Sequence, residues 1–155
     1  MRLQQSKRIA YAVRDVLIER LRKVGYVGDS NLVSEDLKSR HAIDDIAIEA
    51  AKKELQGTGA SIFLEGENNY IPDDASYSVY IDPVDGSLNW DRGVGDPCVV
   101  IAISSKPMIV TLDDLEFAFV LGLRSGDEYW AENGIAHYRC QLTDQTVQIE
   151  TRKIE

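Results

Sequence analysis

Asp82-Pro83-Val84-Asp85-Gly86-Ser87-Leu88-Asn89-Trp90 is the most informative stretch of this 155-residue chain. It follows residues 77–81, which alternate around Val79 and read as a strand. Asp82 therefore falls at a strand end. Pro83 fixes its own φ and has no N–H to give a sheet, so the ladder is expected to stop there. Asp85 comes three residues on and can turn back toward Asp82. Gly86 permits a tight backbone path and close approach of a ligand. Ser87 is a good residue to begin a helix, whose first N–H groups point at an anion. The same string is also an ordinary turn and cap, because Asp, Gly and Ser are common in both. What surrounds it decides between the two.

Working outward, two helices come first. Ile9, Val13, Val16, Leu17, Leu21 and Val24 recur at helical spacing, with charged residues on the other side and Gly25 as a stop. A second stripe runs over about residues 43–55, through Ile43, Ile46, Ala47, Ala50, Ala51 and Leu55. The polar stretch 29–41 between them is a connection, either solvated or lying over a site. After Gly59 the pattern changes to strands at 61–64, 77–81, 98–104, 115–123, 128–131, 135–140 and 146–151. Residues 98–104 are nearly all apolar and β-branched, as in a strand buried on both faces. Ser125-Gly126-Asp127 reads as a hairpin turn. Two helices followed by a run of strands predict an α+β domain over 1–155, with helices on one face of a mostly antiparallel sheet.

Composition narrows the partners. Seventeen basic residues against 26 acidic ones give a net charge of −9, which argues against a nucleic-acid surface. Two cysteines, Cys98 and Cys140, are too few for a disulfide framework and are expected to be reduced thiols. No apolar run approaches the ~20 residues that cross a membrane, and the first residues lack a signal-peptide core. The expectation is a cytoplasmic protein with neither nucleic acid nor membrane as partner. His41 and His137 read as ordinary surface or loop residues, Asp73-Asp74 and Asp113-Asp114 as solvated turns, and Trp90 and Trp130 as packing residues.

The chemistry that suits paired acids beside an anion-cradling turn is phosphate chemistry. A phosphoryl group must be neutralised and a water made nucleophilic, and magnesium held by carboxylates and carbonyls does both. Asp82 and Asp85, with the Val84 carbonyl between them, are of the right type to share such ions.

The nine residues 82–90 resemble the signature of the inositol monophosphatase and archaeal-type fructose-1,6-bisphosphatase superfamily, D-P-[IVL]-D-G-[TS]-x-N-[FW], at each defined position. Gly66-Glu67 resembles that family's metal-binding Gly-Glu after an apolar strand. Ile43-Asp44 resembles its helix-borne Asp, although Asp45 competes for the same role. The likeness covers nearly the whole chain, as the amino-terminal half of the αβαβα sugar-phosphatase sandwich. It implies that Glu67, Asp82, the Val84 carbonyl and Asp85 bind Mg2+, with Glu65 as the alternative to Glu67. It implies that Asp44 and Ser87 orient the attacking water, and that Gly86 and Ser87 N–H groups cradle the phosphate. Arg92, in a Gly-rich loop that departs from the family pattern, is a candidate contact to substrate. The implied reaction is hydrolysis of a sugar or inositol phosphate monoester by metal-activated water, without a phosphoenzyme. The family's carboxy-terminal α/β half, with a further Asp and the ring-reading residues, has no counterpart in these 155 residues. The site is therefore expected to be open on one side. A homodimer or a separate chain completing the fold is one expectation, and a non-catalytic metal- or phosphate-binding module is another.

Overall fold

The computed structural model describes residues 2–24 and 42–150. Two long helices open the chain, α1 (Arg2–Val24) and α2 (Ala42–Leu55). The connection expected at 29–41, with His41, lies outside the described residues. Seven strands follow: β1 (Ala60–Leu64), β2 (Tyr77–Asp85), β3 (Cys98–Ser104), β4 (Phe117–Gly122), β5 (Glu128–Glu132), β6 (Ile135–Arg139) and β7 (Thr146–Ile149). A short helix, α3 (Ser87–Asp91), links β2 to β3. Asp113 and Asp114 belong to a 3-10 turn, Leu112–Asp114, whose Asp114 accepts from the Thr111 N–H and pairs with Lys106.

The strands form one sheet in sequence order. β1 and β2 are parallel and every other neighbouring pair is antiparallel, as in an α+β domain. Helices α1 and α2 lie on one face. Ile9, Val13 and Leu17 from α1 and Ile43, Ala47, Ala51 and Leu55 from α2 meet Val79, Ile81, Ile101, Ile103, Phe117, Phe119 and Leu121 in the core. Burying each large side chain of this set contributes about 1.5–3 kcal/mol. At the far edge of this face Glu128 is only 1% exposed. Its carboxylate is satisfied by Lys7 at 2.6 Å, Arg139 at 2.9 Å and the Tyr11 hydroxyl at 2.7 Å, which ties α1 to β5 and β6.

Among the described residues the opposite face has no such cover. Strand pairing puts Phe63, Tyr80, Ala102, Ala118, Ala131 and Ala136 in one row across it. Val100, Val120 and Tyr129 form the next row. These residues are half-buried or exposed, and Phe63 stacks on Tyr80 with ring centres 4.5 Å apart. β3 is therefore buried on one face, where composition predicts two. Its apolar residues are continuous because both faces are apolar, yet only one is packed within the described residues. His137, expected on the surface or in a loop, lies in β6 and stacks on Trp130 at 5.0 Å.

A second difference lies in β2. The strand does not end at Pro83 but runs on to Asp85, which pairs with Cys98. The register with β3 shifts between Asp82 and Asp85. Pro83 sits inside this bulge, where no N–H is required of it.

Candidate active site

The end of β2 and the start of α3 present the acidic string in a definite shape. Asp82 is half-buried and accepts the Val84 N–H at 3.0 Å. That bond turns the side chain back over the bulge and leaves Val84 buried behind it. Gly86 stands at the helix cap with φ +88°, a left-handed conformation that a side chain disfavours, so the glycine is required there. Ser87 is the first residue of α3 rather than its cap, and Trp90 on the same turn is buried at 4% exposure.

A small cavity of about 150 Å³ opens beside this turn. Asp44 and Ile48 of α2, Glu65 and Gly66 after β1, and Asp82, Pro83, Val84 and Ser87 line it. Four segments of the chain therefore meet at one point. Of the two adjacent acids in α2, Asp44 lines the cavity, whereas Asp45 is exposed beside Val16 and Glu49. Successive helix positions differ by about 100°, so a single helix face admits only one of them.

Glu65 and Glu67 are separated in the same way. The turn after β1 begins as the Glu65 N–H donates to the Ile81 carbonyl at 2.9 Å and closes as the Glu67 N–H donates to the Leu64 carbonyl at 3.1 Å. Glu65 shares a hydrogen bond with Asp82 inside the cavity. Glu67 instead reaches Lys52 of α2 at 2.6 Å, and this pairing raises the lysine pKa. Glu65 therefore lines the small cavity, while Glu67 is paired with Lys52 and lines the adjoining cavity with Glu65 and Asp82.

The electrostatics follow from this packing. Burial, then the hydrogen bond and negative charge of Glu65, lift the Asp82 carboxyl from 3.8 to about 7, against the lowering effect of the Val84 N–H. Cys98, half-buried behind the turn, is pushed up to about 11, by burial first and then by Asp85, Asp82 and Asp96. Its Sγ lies 3.9 Å from Asp85 Oδ2. The region is strongly negative. Among the described residues no three acid, His or Cys side chains are gathered closely enough to form a finished metal cage. The pair is nonetheless a donor set that fits a hard cation. When Asp82 is ionised, the two adjacent carboxylates repel each other, and a divalent ion relieves that repulsion.

No family model matches the chain. A curated fructose-1,6-bisphosphatase/inositol-1-monophosphatase of Archaeoglobus fulgidus is 28% identical over 140 residues, which cover 87% of this chain and 51% of that protein. The crystal structure of Leishmania major fructose-1,6-bisphosphatase superposes with a TM-score of 0.67 at 15% identity, over 95% of this chain and 48% of that one. CysQ from Bacteroides thetaiotaomicron, a bacterial member of the inositol monophosphatase family, gives 0.65 at 13% identity, over 98% and 58%. The chain has the fold of the inositol monophosphatase and fructose-1,6-bisphosphatase superfamily. It spans about half the length of the curated relative it matches.

With that superfamily fold in view, the remaining expected residues can be placed. Asp85 is exposed at the end of β2, on the rim rather than in the cavity. Arg92 is exposed just past α3, where its N–H donates to the Leu88 carbonyl. Cys98 and Cys140 are free thiols. No helix among the described residues is long and apolar enough to cross a membrane. Two residues near the superfamily turn were not singled out by sequence. Arg124 lies 5.5 Å over the Trp90 ring, and Asp96 receives the Arg124 N–H at 2.8 Å. Their only sequence signal is a charge beside a Gly-containing turn, which is too common to be read.

Proposed function

We propose that this chain carries the metal- and phosphate-binding part of a magnesium-dependent phosphatase acting on a small phosphorylated sugar or polyol. The observation that carries this is the pairing of exposed Glu65 with half-buried Asp82, which have no ion pair to a basic side chain among the described residues and line one cavity with Asp44 and Ser87. In this reading Glu65 replaces Glu67 as the first carboxylate, Asp82 is shared, and Asp85 and the Val84 carbonyl complete the donors. A divalent cation bound there would neutralise the phosphoryl group and favour deprotonation of a water. Asp82 gives up its proton when the site fills. Asp44 and Ser87, which both line the cavity, would accept from and orient the attacking water. The N–H groups of Gly86 and Ser87 face the phosphate oxygens. Arg92, exposed beyond α3, is offered for contact with the rest of the substrate.

The uncovered face of the sheet supports a further element of the proposal. An apolar row this extensive is covered in a working protein. We assign it to a second α/β layer, supplied by the same polypeptide, by a separate chain or by a second copy. Turnover requires that layer, and this chain alone would then bind without hydrolysing. That makes a non-catalytic metal- or phosphate-binding module the second reading. The free thiols support a cytoplasmic location.

The test is calorimetric titration with Mg2+, followed by phosphate release from inositol monophosphate and fructose bisphosphate with magnesium, with and without lithium. The expected results are Mg2+ binding that Asp82→Asn abolishes, and lithium-sensitive release once the second layer is present. Magnesium binding without turnover in the completed protein favours the module. Absence of binding in the parent chain, with Asp82→Asn behaving identically, rejects both.

A further inference from the structure

By itself the segment from Asp85 to Asp96 is held by a few local backbone hydrogen bonds among residues 86–94. α3 has five residues and no side-chain cap at its start, and helices this short are unstable alone. The loop behind it contains Gly93 at φ +67° and Gly95 at φ +65° and is exposed. Yet the proposed chemistry needs Asp85 and Ser87 fixed to within a fraction of an ångström.

The turn between β4 and β5 supplies the missing constraint. Arg124 extends from it over the Trp90 ring. Its Nη1 donates to the carbonyls of Val94 and Gly95, each at 2.6 Å. Its Nη2 donates to the carbonyls of Asn89 at 3.1 Å and Trp90 at 3.0 Å. One planar fork therefore joins the last turn of α3 to the loop that follows, adding a second donor to the Asn89 and Trp90 carbonyls, which already accept the Val94 and Gly93 N–H groups. The grip is returned from the loop. Asp96 Oδ1 accepts the N–H groups of Arg124 at 2.8 Å and Ser125 at 3.3 Å, and Oδ2 accepts the Ser125 hydroxyl at 2.5 Å. Leu123 N–H donates to the Pro97 carbonyl at 2.8 Å. Space for this clasp exists because residue 122 is glycine. A Cβ there would lie 2.3 Å from both Asp96 Oδ2 and Ser125 Oγ. None of these residues lines the cavity.

We infer that Arg124, locked by Asp96, is a positioning residue that orders the α3 segment and thereby sets how tightly the neighbouring carboxylates hold a cation. Its consequence for binding rests on the phosphatase reading above, whereas the ordering itself does not. Lysine cannot replace it, because a single ammonium with three donors lacks the planar fork that reaches four carbonyls.

The experiment compares Arg124→Met, Arg124→Lys and Asp96→Ala with the parent, all carrying Trp130→Phe so that Trp90 alone fluoresces. Amide exchange, Trp90 emission and Mg2+ affinity are measured. The expected result is exchange at residues 86–94 faster by on the order of tenfold or more, with exchange in β3 and β4 unchanged. Trp90 emission moves to longer wavelength, Mg2+ affinity falls about tenfold in line with lost preorganisation, and Arg124→Lys fails to restore any of these. Asp96→Ala gives the same local pattern and keeps the test open should an Arg124 variant not fold. Unchanged exchange at 86–94, a rise spread evenly over the sheet, equal Mg2+ affinity in parent and variants, or full rescue by lysine each overturns the inference. A parent chain that binds no Mg2+ removes the phosphatase reading, and exchange and emission then still decide the role of Arg124.

Discussion

Glu65 and Glu67 are chemically identical and two residues apart, yet one is hydrogen-bonded to Asp82 and the other forms an ion pair with Lys52. The residues before and after them do not show which one lines the small cavity, and the family-like Gly66-Glu67 pair points to Glu67, whereas Glu65 is the one found there. What separates them is the reach of Lys52 from α2, a partner 15 residues away in sequence. Glu65→Gln is expected to weaken Mg2+ binding by tenfold or more, since affinity follows the charge and number of ligands. Glu67→Gln is expected to change it by less than about threefold, as for a partly exposed ion pair. Calorimetry on both variants separates them, and equal losses would return Glu67 to the site. Asp82 also makes stability depend on pH. Its folded value, about 7, lies above the ordinary 3.8, so the folded chain binds the extra proton between those values. The associated stability is present in full below the lower value and is lost as pH rises through the upper one. Without metal, the unfolding free energy from urea titration should therefore fall from pH 5 to pH 8, by about 2 kcal/mol once partial solvent screening is allowed for. Asp82→Asn flattens that dependence, and saturating Mg2+ at pH 8 recovers stability, about 2.7 kcal/mol at a hundredfold excess over Kd. An unfolding free energy that rises with pH would reject the assignment.

The elements themselves were mostly legible. Both helical stripes and all seven strands appear within a few residues of their expected positions, because apolar periodicity and turn residues are local signals. The misreadings occur where a neighbour changes the rule. Pro83 suggested a strand end, but the β2–β3 bulge asks no N–H of it, so β2 continues to Asp85. The apolar run of β3 suggested two buried faces, but periodicity cannot say whether anything covers the second. Two element-scale tests follow. Gly86→Ala forces a side chain into φ +88° and should cost about 1–2 kcal/mol by chemical denaturation, with distortion confined to the α3 turn. Glu128→Ala leaves Lys7 and Arg139 without their buried carboxylate between α1 and the β5–β6 hairpin. It should destabilise by about 3–5 kcal/mol, and a loss below 1 kcal/mol would show the cluster to be solvated.

For the whole molecule, the decisive fact is a sheet with helices on one face and half-exposed apolar residues on the other. Sedimentation of the chain alone should show association that Val120→Glu reverses with little loss of stability, because Val120 is only partly buried. A monomer at all concentrations would mean that the face needs a different partner. The sequence by itself determined the order of helices and strands and the identity of the acidic turn, since both rest on spacings within a dozen residues. It determined the fold class for the same reason: two helices before a run of strands leave few ways to bury their apolar sides. Only the tertiary structure decided which glutamate meets Asp82, that Arg124 and Asp96 clasp the turn, and which sheet face stays open. Those outcomes depend on side chains distant in sequence arriving within bonding range, and no local pattern carries that distance.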